Sequence, residues 1–234
     1  MYGTEGSVAD MIVIAVDGPA GSGKSSVCKG VARRLGLRYL DTGAMYRAVT
    51  WAVLQAGIDL TDSEAIAHAA ANLVIVSGTD PSAPSITVDD VDVSGPIRED
   101  DVTAAVSAVS AVPQVRSGLV ARQREEVARA VAAHQGIVVE GRDITSVVLP
   151  DADLKVFITA SPEVRAQRRA AQDEDRGAGE RDIEVTKAEL ISRDAKDSTR
   201  AVSPLTIAPD AIIVETSDLD LEQSIAAVCA LAVP

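Results

Sequence analysis

The chain has 234 residues and a formal net charge of -13, with 47% hydrophobic residues of which only 2% of the total are aromatic. That length suits one domain with insertions and a sizeable core built from Val, Ala, Ile and Leu. The acidic balance argues against a general nucleic-acid or anionic-membrane surface, and the scarcity of aromatics argues against ligand binding by ring stacking.

The first ten residues carry acid and no apolar block, so they read as a loose leader and not as a signal peptide. Met11 to Val16 reads as a short buried strand. It runs into Gly18-Pro19-Ala20-Gly21-Ser22-Gly23-Lys24-Ser25, and Ser26 to Leu35 then reads as a helix. Strand, glycine-rich loop and helix in that order form a triphosphate grip. Backbone N–H groups turn toward the phosphates, the helix start adds its positive end, Lys24 reaches the outer phosphates and the Ser25 hydroxyl can ligate magnesium. Cys28, one turn into that helix, reads as a small packed residue; with Cys229 at the far end it forms no metal spacing, which suggests a reduced, cytoplasmic setting.

Arg38 to Leu40 is a short extended piece ending at Asp41-Thr42-Gly43, where Asp41 or Thr42 can cap a helix from Ala44 to about Ala56. Ser63 to Ala71 is a further helix, and neither His68 on it nor the later His134 has partners that would suggest catalysis. Leu73 to Val76, Ile86 to Val88 and Val91 to Val93, each bounded by turn formers, predict an antiparallel insert. Asp92-Val-Ser-Gly95 resembles a switch-protein motif, but it lies in that insert and not at the end of a core strand. Val102 to Val112 and Pro113 to Ala133 read as helices, the second with Arg and Glu on a solvated face.

Ile137 to Glu140, Leu154 to Thr159 and Ala211 to Val214 complete a set of five buried strands alternating with helices, which predicts an α/β fold of three layers around a five-stranded parallel sheet. Glu140 ends its strand at the edge where ligands bind in such sheets, so it can hold magnesium through water opposite Ser25. Nine of the 22 lysines and arginines fall between Arg165 and Arg200. There, Ser161 to Arg176 and Glu184 to Ser198 read as two helices on an acidic, glycine-containing link, Asp173 to Asp182: a mobile helical lid. Arg193, Asp197 and Arg200, spaced four and three apart, fall on one helical face. Together with Arg47, Arg116 and Arg142 they supply the cationic groups that transfer between two phosphorylated substrates requires. An acceptor that is itself a phosphate monoester has its second pKa near ~6 and needs no catalytic base. A last helix covers Leu221 to Leu231.

Four motifs in order, Asp41-Thr42-Gly43-Ala44-Met45-Tyr46-Arg47, Val93-Ser94-Gly95-Pro96-Ile97-Arg98, Glu140-Gly141-Arg142-Asp143 and Arg193 to Leu205, resemble the bacterial cytidylate kinases, and the resemblance runs from about Ile12 to the last helix. It implies a nucleoside monophosphate kinase fold with a core (11–40, 114–160 and 201–234), a monophosphate-binding region with the strand insert (41–113) and a lid (161–200). By resemblance, Lys24, Arg142, Arg193 and Arg200 are catalytic. Ser26 and Arg168 join the loop in binding ATP. Thr42, Arg47, Ser107, Arg116, Arg142, Asp143, Arg193, Asp197 and Arg200 bind the acceptor, with Ser107, Arg116 and Asp143 at its base. The cofactor is Mg2+, carried with ATP.

That base assignment has a chemical reason: an Asp143 carboxylate accepts from the amino group of cytosine while Arg116 donates to its acceptors, whereas uracil would turn a carbonyl toward the carboxylate. One departure is Ile144-Thr145-Ser146, where relatives often carry glycine. The expected function is Mg-ATP-dependent phosphorylation of CMP or dCMP by a monomer that binds neither nucleic acid nor membrane. Two alternatives stand beside it: a kinase for UMP or another small acceptor, and a regulatory nucleotide-binding module with no acceptor.

Overall fold

The computed structural model describes residues 11–175, 182–200 and 202–232. The expected leader lies outside them, as do residues 176–181 of the lid link. Five parallel strands form the main sheet: β1 (Val13–Asp17), β2 (Arg38–Asp41), β6 (Ile137–Glu140), β7 (Leu154–Thr159) and β8 (Ile212–Glu215), in the order β2-β6-β1-β7-β8. Register brings Val16 and Asp41 to either side of Glu140, so one acid ends each of two neighbouring strands at the carboxyl edge of the sheet. That edge is where an open parallel sheet leaves its crevice.

Helices cover both faces because the strands are apolar on both. On one side α1 (Lys24–Leu35) and α8 (Leu221–Ala232) bury Val27, Val31, Ile225 and Val228 against Ile14, Val138 and Val156. On the other, α2 (Thr42–Gln55), α3 (Ser63–Asn72), α4 (Asp100–Ser110) and α5 (Pro113–Ala132) enclose the larger cluster around Met45, Val49, Val109 and Leu119. The expected insert is a separate antiparallel sheet, β3 (Ile75–Ser77), β4 (Ile86–Val88) and β5 (Val91–Asp92), in that order. Helices α6 (Pro162–Asp175) and α7 (Ile183–Ser198) pack on each other between β7 and β8.

Two boundaries differ from expectation for local reasons. Helix α1 begins at Lys24 instead of Ser26, because Gly23 adopts φ 81° and its carbonyl accepts the N–H groups of Ser26 and Val27. A left-handed residue there is costly for anything but glycine, and no side chain caps the helix, so its first N–H groups face the loop interior. Helix α7 begins at Ile183 instead of Glu184, because Asp182 caps it by accepting from the Glu184 and Val185 N–H groups.

Candidate active site

The phosphate loop, the first turns of α1 and α2, helix α4, the Glu140 to Asp143 turn and helices α6 and α7 enclose one cavity of about 450 Å³. That volume lies in the range of small-molecule sites. Pro19 through Ser26 line one side of it. Thr42, Arg47, Ser107, Arg116, Glu140, Arg142, Asp143, Arg193, Asp197 and Arg200 line the rest. Gly18 does not line it, but its carbonyl accepts from Arg142 Nη1 at 2.8 Å.

At the donor end, Lys24 is buried with Nζ 3.5 Å from Glu140 Oε2. Burial first, and then the Arg142 charge, lower its pKa, while Glu140 opposes the shift. The Tyr39 hydroxyl donates to Glu140 Oε1, and Thr42 Oγ1 donates to the Glu140 carbonyl at 2.7 Å. Glu140 Oε2 is buried and has no hydrogen-bond donor among the described residues. Asp41 caps α2 by accepting from the Ala44 N–H at 3.0 Å, and its pKa is raised by burial and then by Glu140.

Among the described residues no group of three or more His, Cys, Asp or Glu could hold a metal ion. A magnesium ion fits here in another way, since it keeps several waters and takes few protein ligands besides substrate phosphates. The Ser25 hydroxyl and the Glu140 carboxylate, both of residues on the cavity wall, are groups of that kind.

Cations crowd the middle of the cavity. Arg47 donates from Nη1 to Thr103 Oγ1 (2.8 Å) and to the Ile97 carbonyl (3.1 Å), and burial followed by the Arg193 charge lowers its pKa to about 9. Arg193 is brought to about 10 by burial and then by Arg142, and its Nε has no partner among the described residues. Arg142 Nε lies 3.2 Å from Asp197 Oδ2, and Arg200 Nη1 lies 3.6 Å from Asp197 Oδ1. Asp197 offsets part of the charge of these converging guanidinium groups, and an anion in the cavity would offset more of it.

Deeper in, Arg116 and Asp143 form a buried pair, Nη2 to Oδ2 at 2.5 Å, and the guanidinium lies over the Tyr46 ring, 5.1 Å from its centroid. Arg116 Nε is buried with no hydrogen-bond partner among the described residues. The turn carrying Asp143 needs no glycine: Ile144–Val148 forms a π-helical turn whose first N–H groups, from Ile144 and Thr145, donate to the Asp17 carboxylate at 2.9 and 2.8 Å. Thr145 Oγ1 adds a third bond at 2.7 Å.

A family model described as cytidylate kinase matches residues 14–233. Curated cytidylate kinases of Streptomyces avermitilis and Streptomyces griseus are 56% and 57% identical to the chain, each across 94% of it and 92% of the relative. The chain belongs to the cytidylate kinase family. Among solved structures, an uncharacterized protein from Eubacterium ventriosum matches with a TM-score of 0.52 at 12% identity, covering 95% of this chain and 98% of that one, which supports the fold alone.

In this cytidylate kinase family member, two positions sit differently from the sequence reading. Arg168 does not line the cavity; its guanidinium is taken up by the carbonyls of Ser22 (3.2 Å), Thr216 (2.6 Å) and Leu219 (3.2 Å). Consecutive helical residues point about 100° apart, and it is Arg169, 3.1 Å from Asp173, that lines the cavity. Arg200 lies beyond the end of α7 at Ser198, so the chain's turn, and not a continuous helical face, returns it to Asp197. Residues that pattern reading missed are Tyr39, Tyr46, Arg98, Arg169 and Asp17. Tyr46 and Arg98 stand inside the motifs that carried the resemblance, which was the available signal. Tyr39 and Tyr46 also qualify the inference from low aromatic content, since both line the site.

Proposed function

We propose that this protein transfers the terminal phosphoryl group of Mg-ATP to CMP and dCMP, giving the diphosphate and ADP. The observation that carries the reading is the buried Arg116–Asp143 pair opening on the same cavity as the phosphate loop and the arginine cluster. A site that only held a triphosphate would have no use for a second, base-sized recognition element.

In this account Gly18 to Ser26 cradle the donor phosphates, with Lys24 on the outer ones. Arg47, Arg142 and Arg200 hold the acceptor phosphate, Arg193 and Asp197 border the sugar, and Ser107, Arg116 and Asp143 read the base. Ser25, and Glu140 through water, would hold magnesium, which would neutralise charge on the donor phosphates. An oxygen of the acceptor phosphate forms a bond to the terminal phosphorus while the bond from that phosphorus to the bridging oxygen breaks, and ADP leaves with that electron pair. The acceptor dianion carries no proton to remove, so no base is required. The arginines stabilise charge on the transferring group from fixed positions, and the lid helices exclude water that would otherwise take the phosphoryl group.

The division into a core (11–40, 114–160, 201–234), a monophosphate-binding region (41–113) and a lid (161–200) belongs to this reading. So does a cytoplasmic monomer, consistent with two buried free cysteines, a net charge of -13 and no described helix long and apolar enough to cross a membrane. ADP release from ATP, with and without CMP, tests the activity. CMP-dependent turnover is expected; nucleotide binding without it would favour a regulatory module.

A further inference from the structure

The lid meets the phosphate loop through a contact that the catalytic reading does not use. On α7, Asp194 adjoins Arg193, but its carboxylate turns to the loop: Oδ1 accepts the Ala20 N–H at 3.0 Å. Asp194 Oδ2 accepts from Arg165 Nη1, which comes from α6 and donates also to the Ala20 carbonyl at 3.1 Å. Both polar groups of one loop residue are thus held by a charged pair supplied by the two lid helices.

The surroundings are built to the same fit. Arg165 is buried, and Ala20, Ala166 and Leu190 close into a small apolar cluster beside it. A Cβ at Gly21 would stand 2.9 Å from the Arg165 carbonyl, so the loop approaches α6 as closely as backbone allows. A carboxylate on an N–H and a guanidinium on a C=O are charge-assisted bonds, stronger than neutral ones and strict in direction.

We propose that Asp194 and Arg165 are positioning residues that couple the two substrates. By clamping Ala20, they set the donor loop in register with Arg193 and Asp197, which border the acceptor from the same helix α7. Order imposed on the lid by one nucleotide then reaches the site of the other through this clamp, and the coupling is reciprocal. The acceptor half of this claim rests on the proposed function; the donor half does not.

Calorimetric titration of the full chain with CMP, with a non-hydrolysable ATP analogue, and with each in the presence of the other tests it. Asp194→Ala is expected to weaken analogue binding about tenfold, the loss of one charge-assisted contact, and to bring the ratio of CMP affinities with and without analogue close to one. CMP binding alone should move about twofold or less. Asp194→Asn keeps an oxygen for Ala20 but not the charge on Arg165, so it should fall between, and with Arg165→Lys it carries the test if the alanine variant does not fold. Variants that melt earlier yet keep wild-type analogue affinity and coupling would overturn the proposal by showing a purely structural staple. A wild type that binds the analogue but not CMP, with analogue affinity lost in the variants, would leave the clamp standing and defeat the acceptor reading instead.

Discussion

Arg116 Nη2 and Asp143 Oδ2 lie 2.5 Å apart, and both side chains are buried in the wall of the nucleotide cavity. Arg116 Nη1 donates to the Ser110 carbonyl at 3.2 Å, and its buried Nε has no partner among the described residues. Cytosine offers an amino donor and two acceptors to such a pair, and uracil does not. Asp143→Asn should therefore reduce the CMP-to-UMP ratio of kcat/KM by about ten- to a hundredfold, the usual scale for one unpaired buried polar contact. The ratio from coupled ADP-release kinetics checks this; an unchanged ratio removes Asp143 from base recognition.

Asp143 is aimed by Asp17, whose fully buried carboxylate accepts from Ile144 N–H, Thr145 N–H and Thr145 Oγ1. Asp17→Asn replaces one accepting oxygen with a donor that faces other donors. It should lower unfolding free energy by about 1–3 kcal/mol and loosen base discrimination with it. Urea denaturation and the CMP-to-UMP ratio measured on the same preparation check both. Lost stability with full selectivity would confine Asp17 to folding.

Burial and then the Arg193 charge disfavour the cation of Arg47, and a bound dianion favours it. Arg47→Met removes that cation where the acceptor phosphate is placed, so KM for CMP should rise about tenfold or more while binding of a non-hydrolysable ATP analogue moves about twofold or less. Initial rates over a CMP series and calorimetry with the analogue check this. An unmoved KM would mean that Arg47 does not meet the acceptor phosphate.

Tyr39 holds Glu140 by donating its hydroxyl to Oε1, while the buried Oε2 faces Lys24 Nζ at 3.5 Å. Tyr39→Phe preserves ring packing and removes only that bond, so the Glu140 carboxylate loses its orientation. The magnesium concentration for half-maximal turnover should rise about three- to tenfold, with kcat recovering at saturating metal. Excess EDTA should abolish turnover of both proteins. A Tyr39→Phe variant with an unmoved magnesium titration would separate Glu140 from the metal.

Much of this arrangement is legible in the chain before any coordinates. Ile137–Glu140 and Leu154–Thr159 match their expected bounds because buried apolar runs, stopped by a glycine or a turn, leave little freedom of assignment. The loop motif, Arg47 and Arg142 reach one cavity because each follows a strand of the same sheet edge, and Arg116 and Arg193 join them from helices α5 and α7. Long-range partnership was not legible. Arg165 and Asp194 stand 29 positions apart on two helices, and nothing local marks them as a pair. Which of Arg168 and Arg169 faces the cavity depends on the rotation of α6, which a run rich in charge on several faces does not determine.

The central claim is that the cavity phosphorylates a cytosine nucleotide. Initial rates of ADP release at equal concentrations of CMP, dCMP, UMP and AMP test it most directly. Rates with CMP and dCMP exceeding those with UMP and AMP by about tenfold or more are the predicted result; equal rates with all four acceptors would contradict it.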